Sequence, residues 1–160
     1  MAVLPGPPAG RLRRPREAVA PVPVRSPESL QLAASKESVV RRMLEALERR
    51  DVAAIGELLT DDAVYYFPGR GPVAGTYRGR DEVIGLFRAL ASLFDAPLEM
   101  SSHDVVASEA HVLDLATYSG VRGGQSFTWN TVRLYHVDDD RIAEIWLMIG
   151  DIYAFDAFVE

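Results

Sequence analysis

The sequence predicts an α+β domain built on one core, and three features of its pattern predict it. Apolar residues repeat at helical spacing over the first ordered third, with Val39, Val40, Met43, Leu44 and Leu47 on one face and Arg41, Arg42, Glu45 and Glu48 on the other. Four β-type runs then follow one another after residue 97 with turn residues between them, and no strand-helix alternation exists that would build a parallel sheet. With 160 residues, 48% of them hydrophobic, the chain is long enough for one full core and too short for two.

Seven of the ten prolines lie in the first 27 residues, mixed with Arg, Ala and Gly, and neither a helical nor a strand period survives there. Residues 1-34 therefore read as a disordered Pro/Arg-rich tail, and 35-160 as the domain. The first helix runs from Ser35 to about Arg50. Asp51 caps a shorter one carrying Val52, Ile55, Leu58 and Leu59, which Asp61-Asp62 ends in a turn. Ala63 to Phe67 is β-branched and aromatic, and Pro68-Gly69 with Gly71-Pro72 stops that strand. Asp81 opens a third helix with Val83, Ile84, Phe87, Leu90 and Phe94 at helical spacing, and Pro97 marks its far side. Runs at 98-107, 110-121, 125-137 and 141-149 are separated by Ser108-Glu109, Gly123-Gly124 and Asp138-Asp139-Asp140, spacings that suit antiparallel hairpins. A last helix holds Ile152, Phe155 and Phe158. The predicted order is helix, helix, strand, helix, four strands, helix.

Composition removes several classes of function. The chain has no cysteine, which excludes disulfides, thiolate metal sites and a thiol nucleophile. No apolar run reaches the roughly 18 residues of a membrane helix, and the N-terminus lacks the apolar stretch of a secretory signal, so the expected location is the cytoplasm and no membrane partner is expected. The net charge of -6 divides into +3 on residues 1-34 and -9 on the rest, and a body this acidic repels nucleic acid. The three histidines lack a metal-ligand spacing such as H-x-x-x-H, Asp138-Asp140 lacks the Gly and distant Glu of a calcium loop, and "GRGPVAG" lacks the lysine of a phosphate loop. Neither a metal nor another cofactor is expected.

The stretches "VVRRMLEALERRDVAAIGELLTDDAVYYFPG", "YRGRDEV" and "DDDRIAEIWLMIGD" resemble the superfamily of nuclear transport factor 2, ketosteroid isomerase, scytalone dehydratase, limonene epoxide hydrolase and the SnoaL-like polyketide cyclases, over about Ser35 to Glu160. The resemblance implies a cone-shaped, curled antiparallel sheet closed by the N-terminal helices, whose hollow holds a ligand. It does not specify a reaction, because such folds host many chemistries. Where ketosteroid isomerases carry a helix-one tyrosine and an aspartate base, this chain has Met43 and Phe67; where limonene epoxide hydrolases and many SnoaL-like cyclases carry an aspartate after a late tryptophan, it has Leu147 after Trp146. The dehydratases pair a histidine on the strand after the third helix with a histidine or aspartate on the next strand, and His103 and Asp114 fall on those positions.

His103 and Asp114 are thereby nominated as an acid/base pair, since an imidazole held by a carboxylate across adjacent strands is poised near neutral pH. The family register turns Val112, Asp114, Ala116 and Tyr118 inward, although alternation between Leu113 and Leu115 would equally leave Asp114 in water. On the following long strand the same register turns Trp129, Thr131, Arg133 and Tyr135 inward, so that Arg133 would anchor an oxyanion or a substrate carboxylate. A slip of one residue would put Asn130 there instead. Tyr65, Phe67, Tyr118, Trp129 and Trp146, with Met43, are the expected lining, whereas His111 and His136 read as surface residues. The expected function is a cofactor-independent lyase, isomerase or cyclase acting on an apolar oxygenated small molecule, polyketide- or terpenoid-like. An epoxide hydrolase or epoxide-opening cyclase, and a non-catalytic binding or dimerisation module, remain open alternatives. Apolar residues on both faces of the 110-121 strand predict a homodimer through the outer face of the sheet.

Overall fold

The computed structural model describes residues 25-160. Its elements are α1 (Pro27–Arg49), α2 (Val52–Glu57), β1 (Leu59–Phe67), β2 (Gly75–Arg78), α3 (Arg80–Ser92), β3 (Glu99–Ala107), β4 (Val112–Arg122), β5 (Gln125–Asp138), β6 (Arg141–Ile149) and α4 (Ile152–Val159). The strands form one curled, unclosed sheet in the order β2-β1-β6-β5-β4-β3. The four long strands are consecutive hairpins, as the spacing of turn residues predicts.

Four features differ from the sequence reading. The helix expected from Ser35 starts at Pro27, where Ser26 accepts a hydrogen bond from the Ser29 backbone N–H and Pro27 occupies the first turn, a position that needs no donor. Residues 27-34 are thus part of the fold: Ser29 and Ala33 are buried, the Ser29 hydroxyl bonds Glu109, and Arg25 reaches the Ala107 carbonyl at 2.9 Å. The remainder of the expected tail, residues 1-24, lies outside the described residues. Asp61 and Asp62 lie within β1 rather than in a turn before it, and the short β2 was not expected. The sheet is also mixed: β1 runs parallel to β6, because the β2-α3 excursion and three hairpins bring the chain back alongside its first strand in the same sense.

The inner face of the sheet carries the core. Val112, Asp114, Ala116 and Tyr118 of β4 stand opposite Tyr135, Arg133, Thr131 and Trp129 of β5, and Tyr65 opposes Ile145 of β6. α1 packs along β3 and α3 along β1, which closes the concave side over a cluster that includes Val40, Leu44, Leu59, Val83, Leu86 and Phe155. Among the described residues no helix is long and apolar enough to cross a membrane.

Candidate functional site

Between the helices and the inner face lies a cavity of about 730 Å³, within the size range of sites for drug-sized ligands. Its deep wall comes from alternate residues of the sheet: Tyr65 and Phe67 from β1, Tyr118 from β4, Trp129, Thr131 and Arg133 from β5, Leu147 and Ile149 from β6. Helix residues Leu47, Ile55, Phe87 and Leu90 and the α4 residue Phe155 complete it. Exposed charged residues, Glu48, Arg50, Arg88, Asp95 and Glu99, ring its mouth.

The wall is aromatic, and the rings of Tyr118 and Phe94 lie nearly parallel to Trp129, while Phe155 meets it at 60°. Trp129 stacks with Tyr118 at 5.8 Å and 15° and with Phe94 at 6.0 Å and 16°, offset arrangements that aromatic quadrupoles favour. Gly120 makes room for this. A Cβ there would stand 2.7 Å from Phe94 Cδ1 and 2.8 Å from Leu98 Cδ2, so the segment after α3 can press onto β4 only over a glycine.

One charged pair interrupts the apolar wall. Arg133 and Asp114 are 3% and 0% exposed. Arg133 donates from Nε to Asp114 Oδ2 at 2.9 Å, and again from Nη2 to the same oxygen. Ser102 donates to the other carboxylate oxygen at 2.7 Å. Nη2 also meets Met100 Sδ at 3.4 Å, and the guanidinium carbon lies 5.4 Å from the centre of the Tyr118 ring. A lone buried ion would be prohibitive; the pair is tolerated because both oxygens and two of the guanidinium nitrogens are satisfied. Burial opposes the charge of Arg133, but the Asp114 carboxylate paired with it favours that charge, and the guanidinium stays protonated. Burial likewise pushes the phenols of Tyr65, Tyr118 and Tyr135 above their ordinary range, against the pull of Arg133, so they stay neutral.

Arg133 reaches the cavity and Asp114 does not. The carboxylate sits behind the guanidinium, both oxygens occupied, and acts on the cavity only through Arg133. The structure also separates the two members of the expected acid/base pair. His103 is exposed on the opposite face, where its Nε2 meets Thr117 Oγ1, which in turn donates to Asn130 Oδ1 at 2.8 Å. The cause is a bulge in β3 between Ser102 and Asp104. Val105 and Ala107 face inward after it and Met100 and Ser102 before it, so simple alternation counted back from Val105 places His103 on the wrong side. Asn130, the alternative to Arg133, is exposed on that outer face.

Two expected lining residues are also misplaced. Trp146 pairs with Leu134 on the outer face, is 46% exposed and packs on Tyr66 with ring centres 4.2 Å apart. Met43 is sealed in the core beneath α1, while Leu47 and Glu48 reach the cavity from that helix. Tyr65, Phe67, Tyr118 and Trp129 all line it. His111 and His136 are half-buried on the outer side, their rings 4.7 Å apart and tilted by 40°, with His136 paired to Glu144. The family register turned Thr131 inward without giving it a role, and sequence reasoning passed over Ser102, Met100 and Phe155 as parts of the site. Of these, Phe155 alone carried a signal, its place on the apolar face of the last helix, and even that reads as plain core without the sheet it closes.

Comparison with known proteins agrees with this geometry. The SnoaL-like domain family matches residues 40–145. An uncharacterized protein of Mycobacterium tuberculosis, Rv0034, is 25% identical over 121 residues, which cover 75% of this chain and 92% of that one. Among solved structures, Bal32a from a soil-derived mobile gene cassette superposes with a TM-score of 0.77 at 22% identity, covering 81% of this chain and 99% of that one. An NTF2-like protein from Burkholderia xenovorans LB400 superposes with a TM-score of 0.69 at 22% identity, covering 80% and 98%. The chain belongs to the SnoaL-like domain family and has the α+β fold of the nuclear transport factor 2-like superfamily.

Proposed function

We propose that the cavity binds an apolar, oxygenated small molecule and promotes its isomerisation, cyclisation or loss of water without a cofactor, with Arg133 holding the substrate oxygen on which negative charge develops. The observation that carries this reading is a guanidinium opening into an otherwise apolar cavity and fixed from behind by a carboxylate. Such a cation is pre-oriented, stays charged, and is strengthened by the low dielectric around it. Asp114 is a positioning residue and Ser102 orients Asp114. Tyr65 and Tyr118 supply neutral phenols, and Trp129, Phe67 and Phe94 the apolar mould. The lining carboxylates are Glu48, Asp95 and Glu99 at the mouth, and in this proposal the proton that the substrate loses is passed to one of them through water in the cavity.

Epoxide opening by a carboxylate pair has less support, since Asp114 is the one buried carboxylate among the described residues and both its oxygens are engaged. The outer face carries an apolar band of Val106, Leu115, Trp146 and Met148, each 39% exposed or more, and we assign it to a second copy of the chain. The test of the catalytic reading is hydrogen-deuterium exchange next to the carbonyl of bound ketones, followed by NMR in D2O. Exchange faster in the wild type than in Arg133→Met supports it. Saturable binding with equal exchange in both proteins leaves a binding module and overturns the catalytic claim.

A further inference from the structure

One cluster of titratable side chains lies away from the cavity, on the other face of the sheet. Val112 of β4 pairs with Tyr135 of β5, so the residues next to them, His111 and His136, stand side by side across the hairpin, and His136 in turn pairs with Glu144 of β6. The turn before β4 fixes His111 by its backbone, whose N–H donates to Ser108 Oγ at 3.0 Å and whose carbonyl accepts the Ser108 N–H at 2.8 Å. Glu144 is bonded to His136 Nδ1. A carboxylate can only accept, so Nδ1 carries the hydrogen and Nε2 of the neutral ring keeps its lone pair. Asp62, Asp138 and Lys36 line the same depression, so that with Glu144 three carboxylates face one ammonium, a balance that attracts cations.

We propose that His111 and His136 together bind a divalent transition-metal ion of the zinc, nickel or copper type, with Glu144 as the positioning residue behind His136. An imidazole that gives its second N–H to a carboxylate is the usual form of a histidine ligand, because that bond fixes both the ring and its tautomer. The spacing fits as well. A ligating nitrogen stands about 2 Å from such an ion, which puts the ring centres of two tetrahedrally placed ligands about 5 Å apart; here they are 4.7 Å apart. Among the described residues no three His, Asp or Glu side chains converge as a ready ligand set, so the protein supplies two imidazoles and water completes the shell. Imidazole suits zinc, nickel and copper, whereas magnesium and calcium prefer oxygen. Spacing along the chain hides the pair, because only the β4-β5 hairpin creates it. The ion clips β4 to β5 across the sheet from the cavity, and by binding the folded chain it stabilises it.

Calorimetric titration of the full chain, free of any purification tag, with Zn2+, Cu2+ and Mg2+ at neutral pH tests this. One zinc or copper ion should bind per chain, and magnesium should not bind. Glu144→Gln should weaken zinc binding about 10-fold, and His111→Gln or His136→Gln should weaken it further. His103→Gln, on the same face but away from the pair, should leave it unchanged. Bound copper should also quench the fluorescence of Trp146, the next outward-facing residue after Glu144 on β6, and Trp146→Phe should remove that quenching while the binding heat persists. A wild type that binds no stoichiometric zinc or copper overturns the site, as does binding untouched by His111→Gln and His136→Gln or lost equally in His103→Gln. Binding by Glu144→Gln as tight as the wild type overturns its positioning role.

Discussion

Replacing Asp114 by Asn removes one charge with almost no change of shape, and the structure makes this the most informative single substitution. It leaves the Arg133 guanidinium, 3% exposed, without a counter-charge. Breaking a buried pair by removing one partner costs about 3–5 kcal/mol, and since Asn can still accept one hydrogen bond the lower end applies, about 3 kcal/mol. For a chain of this length that corresponds to a fall in Tm of about 10 °C. Thermal denaturation followed by circular dichroism measures it, and urea denaturation gives the free energy. Arg133→Met and the double variant close the cycle: since an isolated charge is the main cost, the double variant should be well more stable than the sum of the singles implies, with a coupling of about 3 kcal/mol. A loss below about 1 kcal/mol for Asp114→Asn, or an additive cycle, would refute the buried pair as the floor of the site.

His103→Gln should change stability by no more than about 0.5 kcal/mol and leave ketone binding unaltered, because the side chain is exposed on the other face; a large loss of binding would return His103 to the site. A chain starting at Ser35 should melt several degrees below one starting at Arg25, since it loses the Ser26 cap and the burial of Ser29 and Ala33; equal melting would show that 25-34 add nothing. Tyr65, Tyr118 and Tyr135 are held neutral by burial with pKa values raised in the folded state. The stability they contribute is complete below the unfolded value of about 10 and is lost as pH rises above it, so urea midpoints should fall steeply above that pH, and a flat profile would contradict their burial. Sedimentation should give a homodimer at tens of micromolar, roughly the concentration at which ordinary homodimers are assembled, and Leu115→Lys should shift it to monomer; a wild-type monomer would refute the assignment of the outer face.

Element types were legible in the chain because each has its own period and punctuation. The α3 face of Val83, Phe87 and Leu90 and the turns at Gly123-Gly124 and Asp138-Asp140 need no tertiary context to be read. Inward placement of Asp114 and Arg133 was not legible from alternation alone, since Leu113 and Leu115 compete for the same face; the family register chose between them. The bulge at His103 was invisible because nothing in "SSHDVV" marks an extra residue, and the parallel β1-β6 pairing is a matter of chain return rather than of local pattern. The start of α1 was masked by its setting. Pro27 closes a proline-rich stretch, yet it is also a favoured first residue of a helix, and Ser26 before it is the cap. Trp146 shows the limit of residue type as a guide, since a large aromatic between Ile145 and Leu147 must face away from both.

The most direct test of the central claim is a crystal structure with 1-tetralone bound. The expected result is one molecule in the cavity, its ring against Trp129 and its carbonyl oxygen about 2.9 Å from Arg133 Nη1, with the Asp114 pair undisturbed behind it. A ketone oxygen turned toward Glu48 and Asp95 at the mouth, or a molecule bound only on the outer face beside Trp146, would contradict it.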